Sequence, residues 1–500
     1  MARKTQHTSS LAGLGLTASA GREAQVTGLS VDSRQVEAGH LFAALPGASV
    51  HGAAFIEKAV SLGAVAVLTD AKGAALAADA LTDIATIVAQ DPRQTLAQTA
   101  SLWFGAHPST VVAVTGTNGK TSVSTFARQI WEEMDLPAVN LGTTGVEGAW
   151  NYPLKHTTPE PITLHRVMAE AARNGITYVA MEASSHGLDQ RRLDGVMVAA
   201  AAFTNFTQDH LDYHETFDAY FQAKMGLFTR VLPEDGIAVI NLDDPKGTQV
   251  VQIALSRGQE VIGVGRNPDA LLRLKAQRFD STGQDLLFDW NGRPYQTRLS
   301  LIGGFQADNV LLAVALVIGA GADPEDVFET LPHLTTVRGR MELAATRESG
   351  ASVFVDYAHT PDAIATALKA MRPHVMGKII AIVGAGGDRD TTKRPLMGAA
   401  ASEHADVVIV TDDNPRSEDP SSIRAAVLAG ALNGTGTPSV TEVGDRAEAI
   451  LRGVDALGPG DALLIAGKGH ESGQTVGDTV LPFDDVEQAS VAVAALEGRI

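Results

Sequence analysis

Residues 111–122 narrow the folds open to this chain more than any other stretch. Val111-Val112-Ala113-Val114-Thr115 has the continuous apolar and β-branched character of a buried strand. Gly116-Thr117-Asn118-Gly119 then makes a glycine-bearing turn, and Lys120-Thr121-Ser122 opens a helix-compatible stretch. Glycines let backbone N–H groups approach an anion, and a helix N-terminus adds partial positive charge. In that setting Lys120 is expected on the β- and γ-phosphates of a nucleotide and the Thr121 hydroxyl on Mg²⁺. The loop is one residue shorter than the G-x-x-x-x-G-K-[ST] spacing counted from Thr115, and two shorter counted from Gly116.

The rest of the chain repeats the strand–helix rhythm. Continuous apolar runs at 178–181, 200–203, 238–240, 353–355, 379–383, 407–410 and 463–465 read as strands covered on both faces. Helical patterns lie between many of them, including 95–103, 122–134 and 361–371, which predicts doubly wound α/β domains. A chain of 500 residues holds roughly two to four domains, with divisions expected at 1–88, 89–337 and 338–500. The absence of cysteine excludes a disulfide scaffold, an iron–sulfur cluster and a thiolate zinc site. With 39 Lys+Arg against 58 Asp+Glu, the net charge of −19 argues against a general nucleic-acid binder. No apolar run reaches the roughly 18 residues of a membrane helix, and the basic start lacks a hydrophobic signal core. A cytoplasmic monomer with neither nucleic acid nor membrane as partner is therefore expected.

Three further features carry chemistry. Glu182 ends the 178–181 run, where open α/β sheets gather their ligand groups, and its carboxylate could hold Mg²⁺ beside the triphosphate. After the 200–203 run, Asp209, His210, Asp212 and His214 make a loop suited to metal binding or proton transfer, although solvated loops are often rich in such residues. Lys224 shares a helical face with Tyr220, Phe221, Leu227 and Phe228. Spacing alone favours a lysine that carries its ammonium to the edge of the apolar face. A buried amine converted by CO₂ to a carbamate, an anionic metal ligand, is the alternative.

Together, Thr115 to Ser122, Glu182 with Ser184-Ser185-His186, Asn205 with Asp209-His210, and Lys224 resemble the Mur ligases of peptidoglycan synthesis. The resemblance spans nearly the whole chain. It includes Asp32-Ser33-Arg34, Val337-Arg338-Gly339-Arg340-Met341-Glu342, Asp356-Tyr357-Ala358-His359-Thr360-Pro361 and Ala466-Gly467-Lys468-Gly469-His470-Glu471. It implies a three-domain α/β architecture: an N-terminal domain for the nucleotide-sugar substrate, a central P-loop ATPase-like domain and a C-terminal Rossmann-like domain for the amino acid. The motif set looks like that of the members that add the third residue of the peptide. Asp413-Asn414-Pro415-Arg416 goes with meso-diaminopimelate in that family, and an arginine fork suits the second carboxylate of that substrate.

By resemblance, Gly116, Thr117, Asn118, Gly119, Lys120, Thr121, Ser122, Asn309 and Arg340 bind ATP. Val31, Ser33, His156, Thr157, Thr158, Ser184, Gln190 and Arg192 hold UDP-MurNAc-L-Ala-D-Glu. Arg389, Asp413, Asn414, Pro415, Arg416, Gly467 and Glu471 hold meso-diaminopimelate. Thr121, Glu182, His210 and Lys224, the last as N6-carboxylysine, hold Mg²⁺, and Lys120, Glu182, His210 and Lys224 are the catalytic set. The implied activity is ATP-dependent amide ligation through an acyl phosphate on the D-Glu γ-carboxylate. Two rivals are a folylpolyglutamate synthetase-like ligase and a catalytically silent nucleotide-binding scaffold. Residues 32–34 and 413–416 speak against the first; the presence of Lys120, Thr121, Glu182, His210 and Lys224 speaks against the second.

Overall fold

The computed structural model describes residues 7–47, 50–207, 213–214 and 216–500. Compactness divides the chain into two units, residues 1–263 with 312–323 and residues 264–311 with 324–500.

The first unit begins with a parallel sheet of Gly28–Ser30, His40–Ala43, Ala66–Thr69 and Ala85–Val88, paired in chain order. Leu41, Ala43, Ala66, Leu68, Ala85 and Ile87 enter one core, while Phe42 and Val67 enter another on the opposite face. Successive strand side chains alternate between faces, so a strand covered on both sides must be apolar throughout. The helix Pro92–Phe104 follows, with Pro92 in its first turn and the Asp91 side chain accepting from the Gln94 N–H.

A second sheet carries the phosphate loop. In spatial order its parallel strands are Ile237–Asn241, Ala200–Phe203, Thr110–Thr115, Tyr178–Glu182 and Ala138–Gly142, with Gly145–Gly148 antiparallel beyond them. Thr110–Thr115 thus lies between Tyr178–Glu182 and Ala200–Phe203, and the turns leaving all three open at one end of the sheet. The helix Lys120–Glu133 buries Val123, Phe126, Ala127, Ile130 and Trp131, the i, i+3, i+4, i+7, i+8 stripe of an amphipathic helix. Truncating the enclosed Phe126 to alanine would cost about 3–5 kcal/mol.

The second unit contains a six-stranded sheet in the order Glu342–Thr346, Ser352–Asp356, Ala462–Ala466, Ile379–Val383, Val407–Val410, Ser439–Glu442. All but the first pairing are parallel. Two-sided burial recurs here. Val353, Val355, Ile380, Ile382, Leu463 and Ile465 face one core, and Phe354, Ile379, Ala381, Val383, Leu464 and Ala466 face the other.

The expected strands all form, with ends shifted by a residue at most. Antiparallel pairing was not foreseen, and it includes the meander Leu272–Asp280, Gly283–Trp290, Arg293–Leu299 and the hairpin Gly473–Val476 with Thr479–Pro482. Both are half-solvated, so neither produces the continuous apolar run that marks a covered parallel strand.

Candidate active site

In the first unit, Gly116 adopts φ +149 and Gly119 φ +87. A Cβ on Gly116 would lie 1.9 Å from the Thr204 Oγ1, so the turn tolerates no side chain there. Residues 204–207 brace the loop. The Thr117 N–H donates to the Asn205 carbonyl at 2.9 Å, and the Asn118 N–H to Asn205 Oδ1 at 2.9 Å. The Thr204 hydroxyl donates to the Asn118 carbonyl at 2.6 Å, and Thr117 Oγ1 donates to the Thr207 carbonyl at 3.1 Å. Lys120 Nζ folds back onto the carbonyls of Gly116 (3.0 Å) and Thr117 (2.8 Å), both within its own loop.

Glu182 is the last residue of its strand and is buried. Its carboxylate accepts from the Thr121 hydroxyl at 3.0 Å, the Thr143 N–H at 2.7 Å and the Thr143 hydroxyl at 3.1 Å. A Cβ on Gly142 would fall 2.1 Å from Glu182 Oε1, so glycine there makes room for the carboxylate. Thr143 escaped the sequence reading, although its position directly after Ala138–Gly142 was the available signal. Hydroxyl and carboxylate oxygens in this arrangement suit a hard divalent cation such as Mg²⁺.

Lys224 does not carry its ammonium to an edge. It is 1% exposed, Nζ donates to the Gly116 carbonyl at 2.6 Å, and it sits 4.4 Å from the centre of the Tyr220 ring. As an ammonium it offers no lone pair to a metal; as a carbamate it would. His210, with Asp209 and Asp212, lies outside the described residues. Among the described residues no group of three or more His, Cys, Asp and Glu side chains is arranged to hold a metal ion.

The residues expected on the nucleotide-sugar substrate are partly brought together. Thr157 Oγ1 lies 3.1 Å from the Thr143 hydroxyl, and Thr158 Oγ1 donates to the Glu182 carbonyl at 3.0 Å. The Ser184 N–H donates to Thr158 Oγ1 at 3.1 Å. Arg192 donates to the Thr158 carbonyl (2.5 Å) and to Gln190 Oε1 (2.8 Å). His156 is exposed. Val31 and Ser33 follow the strand Gly28–Ser30, Val31 exposed and Ser33 buried.

In the second unit, the loops after three adjacent parallel strands converge. The Gly387 N–H donates to the Asn414 carbonyl at 2.9 Å, and Arg416 Nη1 donates to the Gly387 carbonyl at 2.7 Å. This joins the turn bearing Arg389 to residues 413–416. Gly467 has φ +117, and a Cβ there would lie 2.5 Å from Asp413 Oδ2. Asn414 Nδ2 donates to Glu471 Oε2 at 2.9 Å. Burial pushes the Glu471 carboxyl up, against the opposing Asn414 hydrogen bond. Arg389 is exposed, and Pro415 is buried. Arg416 adopts φ +51, sparsely populated for a residue with a Cβ.

Arg340 lies over the Tyr357 ring, 4.5 Å from its centre. Asp356, whose carboxyl burial pushes up, accepts from the N–H groups of Met341 (2.7 Å) and Ala358 (2.8 Å). Asn309 is buried and donates to Gln306 Oε1 at 3.3 Å. A fully buried pair also went unforeseen: Arg446 donates twice to Asp485, at 2.8 and 2.7 Å, and to the carbonyls of Asp412 and Ala466.

Three family models match: "Mur ligase family, catalytic domain" at residues 25–103, "Mur ligase middle domain" at 114–317 and "Mur ligase, glutamate ligase domain" at 339–469. A UDP-N-acetylmuramoyl-L-alanyl-D-glutamate–2,6-diaminopimelate ligase from Bradyrhizobium diazoefficiens is 48% identical over 475 residues, 94% of this chain and 95% of that protein. The like-named protein of Brucella melitensis is 46% identical over 95% of each chain. A solved structure carrying the same enzyme name superposes with a TM-score of 0.70 at 33% identity, covering 94% of this chain and 95% of its own. A folylpolyglutamate synthase from Mycobacterium tuberculosis, at 19% identity and a TM-score of 0.61 over 81% of this chain, shares the fold alone. With matched domains in chain order and relatives this similar along almost its entire length, the chain belongs to the Mur ligase family.

Proposed function

We propose that this enzyme joins meso-diaminopimelate to the D-Glu γ-carboxylate of UDP-MurNAc-L-Ala-D-Glu at the cost of ATP, in peptidoglycan synthesis in the cytoplasm. The observation that carries the reading is similarity at 46–48% identity, nearly end to end, to proteins named for that reaction. The proposed domains are 1–88, 89–337 and 338–500.

A carboxylate resists amine attack because oxide is a poor leaving group. Transfer of the ATP γ-phosphoryl group to it gives an acyl phosphate, from which the amine displaces phosphate. The N–H groups of residues 116–122 bind the nucleotide phosphates, and Lys120 exchanges its loop carbonyls for phosphate oxygens. Asn309 and Arg340 contact the adenine nucleotide. Val31, Ser33, His156, Thr157, Thr158, Ser184, Gln190 and Arg192 hold the nucleotide-sugar dipeptide. Thr121, Glu182, His210 and carbamylated Lys224 are the residues that would hold Mg²⁺. When bound, the cation offsets charge on the transferred phosphoryl oxygens. Arg389 and Arg416 take the distal carboxylate of diaminopimelate, Gly467 and Glu471 meet its amino end, and Asp413, Asn414 and Pro415 complete its site. Positioning and preorganised charge supply the catalysis.

The test offers purified enzyme ATP, Mg²⁺ and the dipeptide nucleotide, with either diaminopimelate or lysine. Tripeptide formation and ADP release with diaminopimelate, and little of either with lysine, are expected. Equal use of lysine overturns the role given to Arg416.

A further inference from the structure

The surroundings of Asn414 leave its amide one orientation. Oδ1 accepts from Lys468 Nζ at 3.0 Å and from the Thr475 N–H at 2.9 Å, while Nδ2 donates to Glu471 Oε2 at 2.9 Å. A reversed amide would set its NH₂ against an ammonium and an N–H, and its carbonyl oxygen against a carboxylate. Lys468 is itself fully enclosed. Its Nζ also donates to the Gly473 carbonyl at 2.6 Å and lies 3.8 Å from Glu471 Oε2. Enclosing an ammonium carries a desolvation penalty that a methionine of similar length would not. Consistent with that penalty, burial pushes the Lys468 pKa down. Thr475 belongs to the hairpin strand Gly473–Val476, whose Gln474 side chain donates to the Asp413 carbonyl at 2.7 Å. The hairpin and Lys468 therefore both hold residues 413–414.

We propose that Lys468 is a positioning residue for amino-acid recognition, locking the Asn414 amide so that Asn414 and Glu471 present one fixed donor–acceptor pattern to the substrate. This rests on the reading that residues 413–416 and Glu471 bind diaminopimelate. The task is selective, because the chain of contacts runs from Lys468 through Asn414 to Glu471 and involves none of the phosphate-loop residues.

Steady-state kinetics of Lys468→Met test it. The KM for diaminopimelate should rise about tenfold or more, while the KM values for ATP and the dipeptide nucleotide stay within about twofold. An unchanged KM for diaminopimelate, or an equal rise in all three, overturns the proposal. Loss of folding is addressed by Lys468→Cys, the sole thiol in a chain without cysteine. Alkylated in denaturant with 2-bromoethylamine and refolded, its thiolate displaces bromide and rebuilds an ammonium at the end of a lysine-length side chain. Iodoacetamide instead leaves a neutral amide. Recovery of the diaminopimelate KM by the first adduct alone is expected, and equal recovery by both overturns the role of the charge. A structure of Lys468→Met decides the point apart from activity. Asn414 should leave Glu471 or Thr475, and retention of both contacts overturns the proposal even if the wild-type enzyme proves to use another amino acid.

Discussion

At the scale of single residues, the site is built from short side chains and missing ones. Gly116→Ala would drive a methyl into the Thr204 hydroxyl at a backbone angle that disfavours any Cβ. Loss of ligation by about 100-fold or more is expected, with nucleotide affinity measured by calorimetry falling in parallel. Glu182→Gln would turn an NH₂ toward donors that now all point at a carboxylate: the Thr121 hydroxyl and the Thr143 hydroxyl and N–H. A fall in kcat of about 100-fold or more is expected, with the Mg²⁺ requirement shifted to higher concentration. Lys120 and Thr121 were legible in the sequence because they open a helix after a strand and a glycine-bearing turn, and Glu182 because it closes a recognisable strand. Lys224 was not. Its spacing placed it on an apolar face, but only packing decides whether an ammonium reaches water or, as here, ends against the Gly116 carbonyl. Its proposed carbamate predicts that intact-mass measurement under CO₂ finds one added CO₂ and that Lys224→Ala loses activity; full activity of that variant ends the idea.

Two secondary-structure elements carry stability consequences apart from the chemistry. His165, on the helix Pro161–Arg173, is 2% exposed with Nε2 unpartnered, and burial, aided by His107, lowers its pKa to about 3. The unfolded chain takes up the proton near pH 6.5, well before the folded one. Between those values this residue therefore destabilises the fold as pH falls, by about 1.4 kcal/mol per unit. Urea unfolding of His165→Leu should show a weaker loss of stability from pH 7 to about 5 than the parent chain. The helix Arg446–Asp455 begins with the buried Arg446, paired to Asp485 at the start of Asp485–Leu496. Arg446→Met alone should cost about 3–5 kcal/mol, and adding Asp485→Leu should restore most of it, because the penalty comes from one uncompensated charge. Nothing in the sequence marked this pair, since Arg and Asp are ordinarily surface residues.

For the whole molecule, the net charge of −19 opposes the approach of phosphate-bearing substrates. Their capture then rests on placed groups such as the loop N–H donors, Lys120, Arg192 and Arg416. Association rates for the dipeptide nucleotide, followed by stopped flow, should hold or rise as salt increases to about 0.2 M, because screening removes repulsion. A steep fall would mean that a local basic field dominates. Strands covered on both faces, the phosphate loop, the family and the lack of thiols could all be read along the chain, because composition, periodicity and motif spacing need no knowledge of which segments meet. Tertiary structure alone decided that Thr143 and Thr121 share the Glu182 carboxylate, that Lys224 turns inward and that Lys468 holds Asn414. Parallel sheets join strands through long crossovers, so the partners at one sheet end lie far apart in the chain: 61 residues for Thr121 and Glu182, and 108 for Gly116 and Lys224. Periodicity reports which face of an element is apolar; it carries no information about which loops meet.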